Sequence, residues 1–117
     1  MGNQEKPLVR SFKPQEWPMA DQTAWAEVCR PHGRLTLGGS AAHLSVTTQN
    51  DLASRYGLFL EHVSRAVGRF VTTGSPAGSV TRDRVETYIA ELEFRVSTVT
   101  VYGSIAKLRR MAEFLAP

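Results

Sequence analysis

The carboxy-terminal stretch Ser97–Pro117, with the sequence STVTVYGSIAKLRRMAEFLAP, has the clearest periodicity in the chain. When about 100° of rotation is assigned to each residue, as in an α-helix, five apolar residues fall on one stripe. These are Val101, Ile105, Leu108, Ala112 and Leu115. A hydroxyl at Ser97 or Thr98 can accept a hydrogen bond from the free N–H groups of the first turn, and Pro117 marks the end. The stretch therefore predicts an amphipathic helix that packs its apolar stripe on other helices.

The opposite stripe of this helix is small, hydroxylated and cationic. Its members are Thr100, Gly103, Lys107 and Arg110, and no carboxylate is among them. Lys, Arg, hydroxyls and helix amino termini all bind phosphates, and an α-helix fits the major groove of DNA. The stripe predicts a surface that contacts duplex DNA. An ordinary solvated face is the alternative that the residues alone leave open.

The composition is that of one soluble globular domain. The chain has 117 residues, of which 42% are hydrophobic and 21% charged. The net charge is only +3, but residues 97–117 hold three cations and one carboxylate, whereas residues 81–96 hold three cations and four carboxylates. A single cysteine, Cys29, excludes an internal disulfide. Because no apolar run approaches ~18 residues and no signal-peptide core is present, we expect a cytoplasmic protein without a membrane span.

Three more helices are predicted upstream of the last one. They cover about residues 19–30, 48–68 and 82–94. Thr47 or Thr48 is the expected cap of the second helix, and Thr81 the cap of the third. Residues 1–17 contain two prolines and no periodicity, so we expect a flexible amino-terminal arm. The sequence therefore predicts an all-α bundle of three long helices and one shorter amino-terminal helix.

Several motifs follow one another in a fixed order along residues 17–117. They are Trp17-Pro18, Asp21, Trp25, Gly38-Gly39, Ala42, Thr47-Thr48, Leu52, Tyr56, Phe59-Leu60, Val80-Thr81, Val85, Tyr88-Ile89, Ser97, Thr100-Val101, Ile105, Leu108-Arg109-Arg110 and Phe114-Leu115-Ala116-Pro117. Their order and separation resemble the amino-terminal core-binding domain of tyrosine recombinases, the phage integrases. The residues at these positions are similar to those of a bacterial branch of this family that is often borne on plasmids and mobile elements.

The resemblance implies a SAM-like four-helix bundle over residues 18–117 that forms half of a clamp around recombination-site duplex DNA. In that family a separate carboxy-terminal domain carries the catalytic tyrosine, so this chain is expected to be a non-catalytic fragment. The implied partners are double-stranded DNA, the catalytic domain of the same parent protein and other recombinase protomers. By position, the implied DNA contacts are Thr47, Thr48, Arg55, Ser97, Thr98, Thr100, Lys107 and Arg110. Many relatives place Arg shortly after the Thr of the last helix, where this chain has Tyr102-Gly103.

No set of residues in the chain indicates catalysis or metal binding. Tyr56 and Tyr88 fall on apolar stripes, and Tyr102 has no cluster around it that would activate a nucleophile. One cysteine and three histidines do not make a four-ligand zinc site. We therefore expect no catalytic residue, no metal and no cofactor. The histidines, all expected to be exposed, are His32, His43 and His62.

Two other functions stay open. Phe114 falls on the outer face of the last helix, and exposed aromatic residues mark protein contacts. The chain would then be a helical protein–protein interaction module with no DNA role. The third possibility is a stand-alone accessory protein for excision or partition.

Overall fold

A computed structural model describes residues 10–67 and 74–117. Within these ranges the chain forms four α-helices and one 3-10 turn, with no strand. The prediction of an all-α fold with three long helices and a shorter first one is confirmed. The helices are α1 (Met19–Val28), α2 (Val46–Val67), α3 (Arg82–Arg95) and α4 (Thr98–Leu115).

The helix starts follow from hydroxyl caps. Thr81 accepts a hydrogen bond from the N–H of Arg84, and Ser97 accepts one from the N–H of Thr100, each at 3.3 Å, as predicted for α3 and α4. The predicted cap of α2 is wrong, because Ser45 rather than Thr47 or Thr48 occupies that position. Its Oγ accepts from the N–H of Thr48 at 3.1 Å, so α2 begins two residues earlier than the apolar pattern indicated.

The helix α4 packs against all three other helices. Its predicted apolar stripe is confirmed, with Val101, Leu108 and Leu115 buried and Ile105 half-buried. Met111 is also fully buried. The core residues of α2 recur at helical spacing, whereas Val67 at its end is 47% exposed; they are Leu52, Tyr56, Phe59, Leu60 and Val63. The core is therefore built where α2 and α4 meet.

Residues 10–17 do not form part of a flexible arm. The N–H of Phe12 donates to the carbonyl of Gly57 at 3.2 Å, and the Ser11 hydroxyl donates to the carbonyl of Ser54 at 2.7 Å. Trp17 is buried, and its indole N–H donates to the carbonyl of Phe12 at 2.9 Å. An added Cβ at Gly57 would overlap the Phe12 carbonyl oxygen, so glycine is what lets this segment cross α2. Residues 1–9 of the predicted arm lie outside the described residues.

A buried carboxylate joins α1, α2 and the loop before α3. Asp21 is 1% exposed, accepts from the Tyr56 hydroxyl at 2.8 Å and accepts from the N–H of Ala77 at 2.6 Å. Burial raises the pKa of Asp21, although both hydrogen bonds oppose that shift. Ala77 has a φ of 58°, in the left-handed region that L-residues rarely adopt. The bond to Asp21 helps to hold that loop in its turn.

Candidate nucleic-acid interface

Two of the predicted DNA contacts come together where α2 and α4 face solvent. Lys107 of α4 places its Nζ 2.5 Å from Oδ2 of Asp51, and Arg55 of α2 places its Nε 3.7 Å from Oδ1 of the same carboxylate. The three side chains are between 35% and 40% exposed. Arg55 and Lys107 are distant in sequence, so the fold brings them to one point. This cluster of Asp51, Arg55 and Lys107 is called the α2–α4 charge cluster below.

The charge cluster corrects one sequence-based expectation. Lys107 was expected on a stripe without carboxylates, but Asp51 reaches it from the neighbouring helix. A helical periodicity describes one helix only and gives no information about charges across a helix–helix contact. Half-exposed ion pairs of this kind contribute at most about 1 kcal/mol. The Lys107 ammonium is therefore paired with Asp51 but remains accessible to solvent.

Arg110 is the cation of the predicted stripe that remains free of carboxylates. Its side chain is exposed, and in the described part of the chain it forms no ion pair. Its guanidinium carbon lies 5.6 Å from the ring centroid of Phe114, a distance typical of cation–π contacts. The neighbouring Arg109 instead pairs with Glu113 at 3.5 Å. The Phe114 ring therefore helps to position the exposed guanidinium of Arg110.

Phe114 does not lie on the outer face of α4 as expected. It is half-buried, and its ring meets the ring of Trp25 at an angle of 64° with 6.4 Å between centroids. The first helix covers this side of α4, which the periodicity of α4 alone could not show. Phe114 is therefore part of the α1–α4 contact and not a free docking residue.

The predicted hydroxyl contacts divide between the two helix starts. Thr47 is exposed, while the Thr48 hydroxyl lies 3.0 Å from the Ser45 hydroxyl, about one turn before Asp51. On α4, the Ser97 and Thr100 hydroxyls lie 3.1 Å apart, and Ser97 also caps the helix. A rise of about 1.5 Å per residue puts Ser97 and Thr98 some ~15 Å along α4 from Lys107. They lie at the far end of the surface from the charge cluster.

The face of α4 between these two groups is open. An added Cβ at Gly103 would meet no atom within 4 Å. Next to it, Val99 is 81% exposed and Tyr102 is 73% exposed, so this part of the helix is more apolar than the stripe of Thr100, Gly103, Lys107 and Arg110 suggested. Because Gly103 has no side chain, another molecule can come close to the backbone of α4 there, as is expected where a helix lies close to DNA.

Sequence analysis missed an apolar groove between α3 and α4. The groove has a volume of about 440 Å³. Phe94, which is not among its lining residues, is 93% exposed elsewhere on α3. Phe94 follows the core residue Leu92 by two positions, which places it about 200° away on the helix, so the periodicity of α3 could have identified it. The groove is lined by Ile89, Glu93, Val96, Thr98, Val101, Tyr102 and Ile105.

His62 was expected to be exposed and is instead 4% exposed. Its Nδ1 lies 3.1 Å from Oε1 of Glu91, whose other oxygen accepts from Arg65 at 2.8 Å. Arg65 also donates to Glu61 at 2.6 Å. The hydrogen bond from Arg65 is the main cause that lowers the pKa of Glu91. This network joins α2 to α3, so Arg65 acts within the fold and its charge is neutralised there.

The described residues contain no group of three or more His, Cys, Asp or Glu side chains that could hold a metal ion. Tyr56 and Tyr88 are buried in the core as predicted. None of the helices in the described ranges has the length and apolarity needed to cross a membrane.

No family model, curated protein or solved structure matches this chain. Its resemblance to the integrase core-binding domain therefore stays a prediction.

Proposed function

We propose that this chain is a duplex-DNA-binding domain, the SAM-like core-binding half of a tyrosine-type integrase, and that it positions DNA without contributing a catalytic group. The observation that carries the proposal is a solvent-facing surface where Arg55 of α2 and Lys107 of α4 share the carboxylate of Asp51, with the exposed Arg110 one turn further along α4. Cations that cluster on one face of a domain are the electrostatic footprint of nucleic-acid binding, and they contact phosphates.

In the proposed mode, phosphate contacts set the position of the domain on the duplex. Arg110 supplies a guanidinium that has no carboxylate partner among residues 10–67 and 74–117, and the first turns of α2 and α4 supply backbone N–H groups beside Thr47 and Thr98. Gly103 lets the axis of α4 come close to the groove, where side chains can reach base edges. Because these contacts are few, we expect weak binding of isolated protein to random duplex, with a Kd in the ~10⁻⁴–10⁻⁶ M range.

The proposal includes the partners that the resemblance implies. The catalytic domain of the same parent protein would grip the other side of the duplex, and further protomers would bind the same recombination site. The setting would be the bacterial cytoplasm, during integration or recombination of a mobile element.

The test is the salt dependence of binding to a fluorescently labelled random-sequence duplex. Arg110→Ala should weaken binding and flatten the slope of log K against log salt by about 0.9, the value for one phosphate contact. The matched control is Arg82→Ala on α3, where the arginine is 89% exposed and pairs with Glu86. Equal losses in the two variants would show that only net charge matters and would refute a binding surface on α4.

A second candidate function is supported by a different observation. Tyr102 lines the α3–α4 groove and is 73% exposed, and such exposed apolar surface marks protein contacts. On this hypothesis the chain is a protein–protein interaction module that self-associates through the groove, not through Phe114. Light scattering separates the two functions: salt-insensitive self-association that Tyr102→Ser abolishes, with no binding of duplex, would favour the second.

A further inference from the structure

Asp51 is a carboxylate in the middle of the surface assigned to DNA. It is 40% exposed, and it holds Lys107 at 2.5 Å while Arg55 lies 3.7 Å away on the other oxygen. A carboxylate at such a point has two physical effects on a polyanion. It repels approaching phosphates, and it occupies the ammonium group that would otherwise bind one.

Resting on the proposed function, we infer that Asp51 limits the affinity of this surface for non-specific duplex by keeping Lys107 from phosphate. The pair links two helices, so the Lys107 ammonium already has an anionic partner in the free protein. Contact with a phosphate would exchange one anionic partner for another and would release little free energy. Arg110, which has no carboxylate partner in the described ranges, gains the full interaction.

This inference changes what is expected of the two α4 cations. The sequence pattern predicts that Lys107→Ala and Arg110→Ala each weaken binding and flatten the salt slope, because both lie on one stripe. With Asp51 in place, Lys107→Ala should leave the salt slope nearly unchanged, whereas Arg110→Ala should flatten it. Asp51→Asn removes the negative charge but keeps the size of the side chain. It should free Lys107 for one additional phosphate and steepen the slope by about 0.9.

The expected gain in affinity is modest and measurable. An exposed ion pair is worth up to about 1 kcal/mol, which corresponds to roughly fivefold in an equilibrium constant. Asp51→Asn should therefore bind random duplex up to roughly fivefold more tightly at low salt. The gain should shrink as salt screens the surface.

The experiment compares the full chain with Asp51→Asn, Lys107→Ala and the double variant in titrations of one labelled random duplex over a series of salt concentrations. Glu86→Gln is the matched control, because it also removes a carboxylate that pairs with an exposed arginine, but on α3. Thermal unfolding by circular dichroism verifies that each variant is folded.

The inference predicts that Asp51→Asn steepens the slope and that adding Lys107→Ala removes this gain. It is overturned if Asp51→Asn behaves like Glu86→Gln, or if the steeper slope persists in the double variant. These results leave the proposed function standing, provided that the unmodified chain binds duplex with a salt-dependent Kd. If neither the unmodified chain nor any variant binds duplex, the proposed function itself fails, and the inference fails with it.

Discussion

The buried bond between Tyr56 and Asp21 gives the sharpest stability prediction. Tyr56→Phe removes one hydroxyl from a fully buried ring and leaves its edge-on contact with Trp17, at 5.0 Å between centroids, in place. Hydrogen bonds to charged groups contribute about 1.5–3 kcal/mol, so we expect the variant to lose about 2 kcal/mol of unfolding free energy at pH 7. For a domain of this size the loss lowers Tm by roughly 8 °C.

The loss should depend on pH in a definite direction. Burial raises the pKa of Asp21, and the Tyr56 hydroxyl counteracts part of that shift, so the substitution raises this pKa further. A carboxyl whose pKa is higher in the folded state contributes stability that is fully present below its unfolded pKa and is lost as pH rises through its folded pKa. The difference in unfolding free energy between the variant and the unmodified chain should therefore be smaller near pH 4 than at pH 7.

Urea unfolding followed by circular dichroism at both pH values measures the two gaps. Tyr88→Phe is the matched control, since Tyr88 is also buried but its hydroxyl forms no hydrogen bond to a carboxylate in the described part of the chain. The reasoning is refuted if the two substitutions are equally destabilising at pH 7, or if the Tyr56→Phe gap stays constant between the two pH values.

Three further predictions concern backbone and capping positions. Gly57→Ala should destabilise the domain by about 1–3 kcal/mol and shift tryptophan fluorescence, because its Cβ would overlap the segment at Phe12; an unchanged urea midpoint would contradict the packing of residues 10–17. Gly103→Ala should raise stability by about 0.5–1 kcal/mol, since its Cβ meets open space, while weakening duplex binding in the titration; unchanged binding would argue against close approach there. Ser97→Ala should cost about 1 kcal/mol in thermal unfolding and Thr98→Ala much less, because only Ser97 caps α4; equal costs would contradict that assignment.

Most of the fold was predictable from the sequence because it depends on local signals. The apolar stripes of α2 and α4 and the caps at Thr81 and Ser97 each involve residues within a few turns of one another. The packing of residues 10–17 was not predictable in this way. It depends on the segment at Phe12 crossing α2 at Gly57. The need for glycine there becomes clear only when the segment that packs against it is known.

The candidate site was predictable only in part, since its residues lie on two helices. The stripe of α4 identified Lys107 and Arg110, and Arg55 was identified by resemblance. Neither route could show that Asp51 lies between Arg55 and Lys107, because this depends on how α2 and α4 are rotated against each other. The burial of His62 has the same origin, since its partner Glu91 comes from α3.

The central claim is that α2 and α4 together form the surface that contacts duplex DNA. The most direct measurement is a titration of the ¹⁵N-labelled chain with unlabelled random duplex, in which the backbone amide chemical shifts are followed by NMR. The account predicts that the largest shifts occur in the first turns of α2 up to Arg55 and along α4 from Ser97 to Arg110, with α3 around Glu86 unaffected. Shifts confined to the α3 side of the α3–α4 groove, at Ile89, Glu93 and Val96, or no shifts at all, would contradict it.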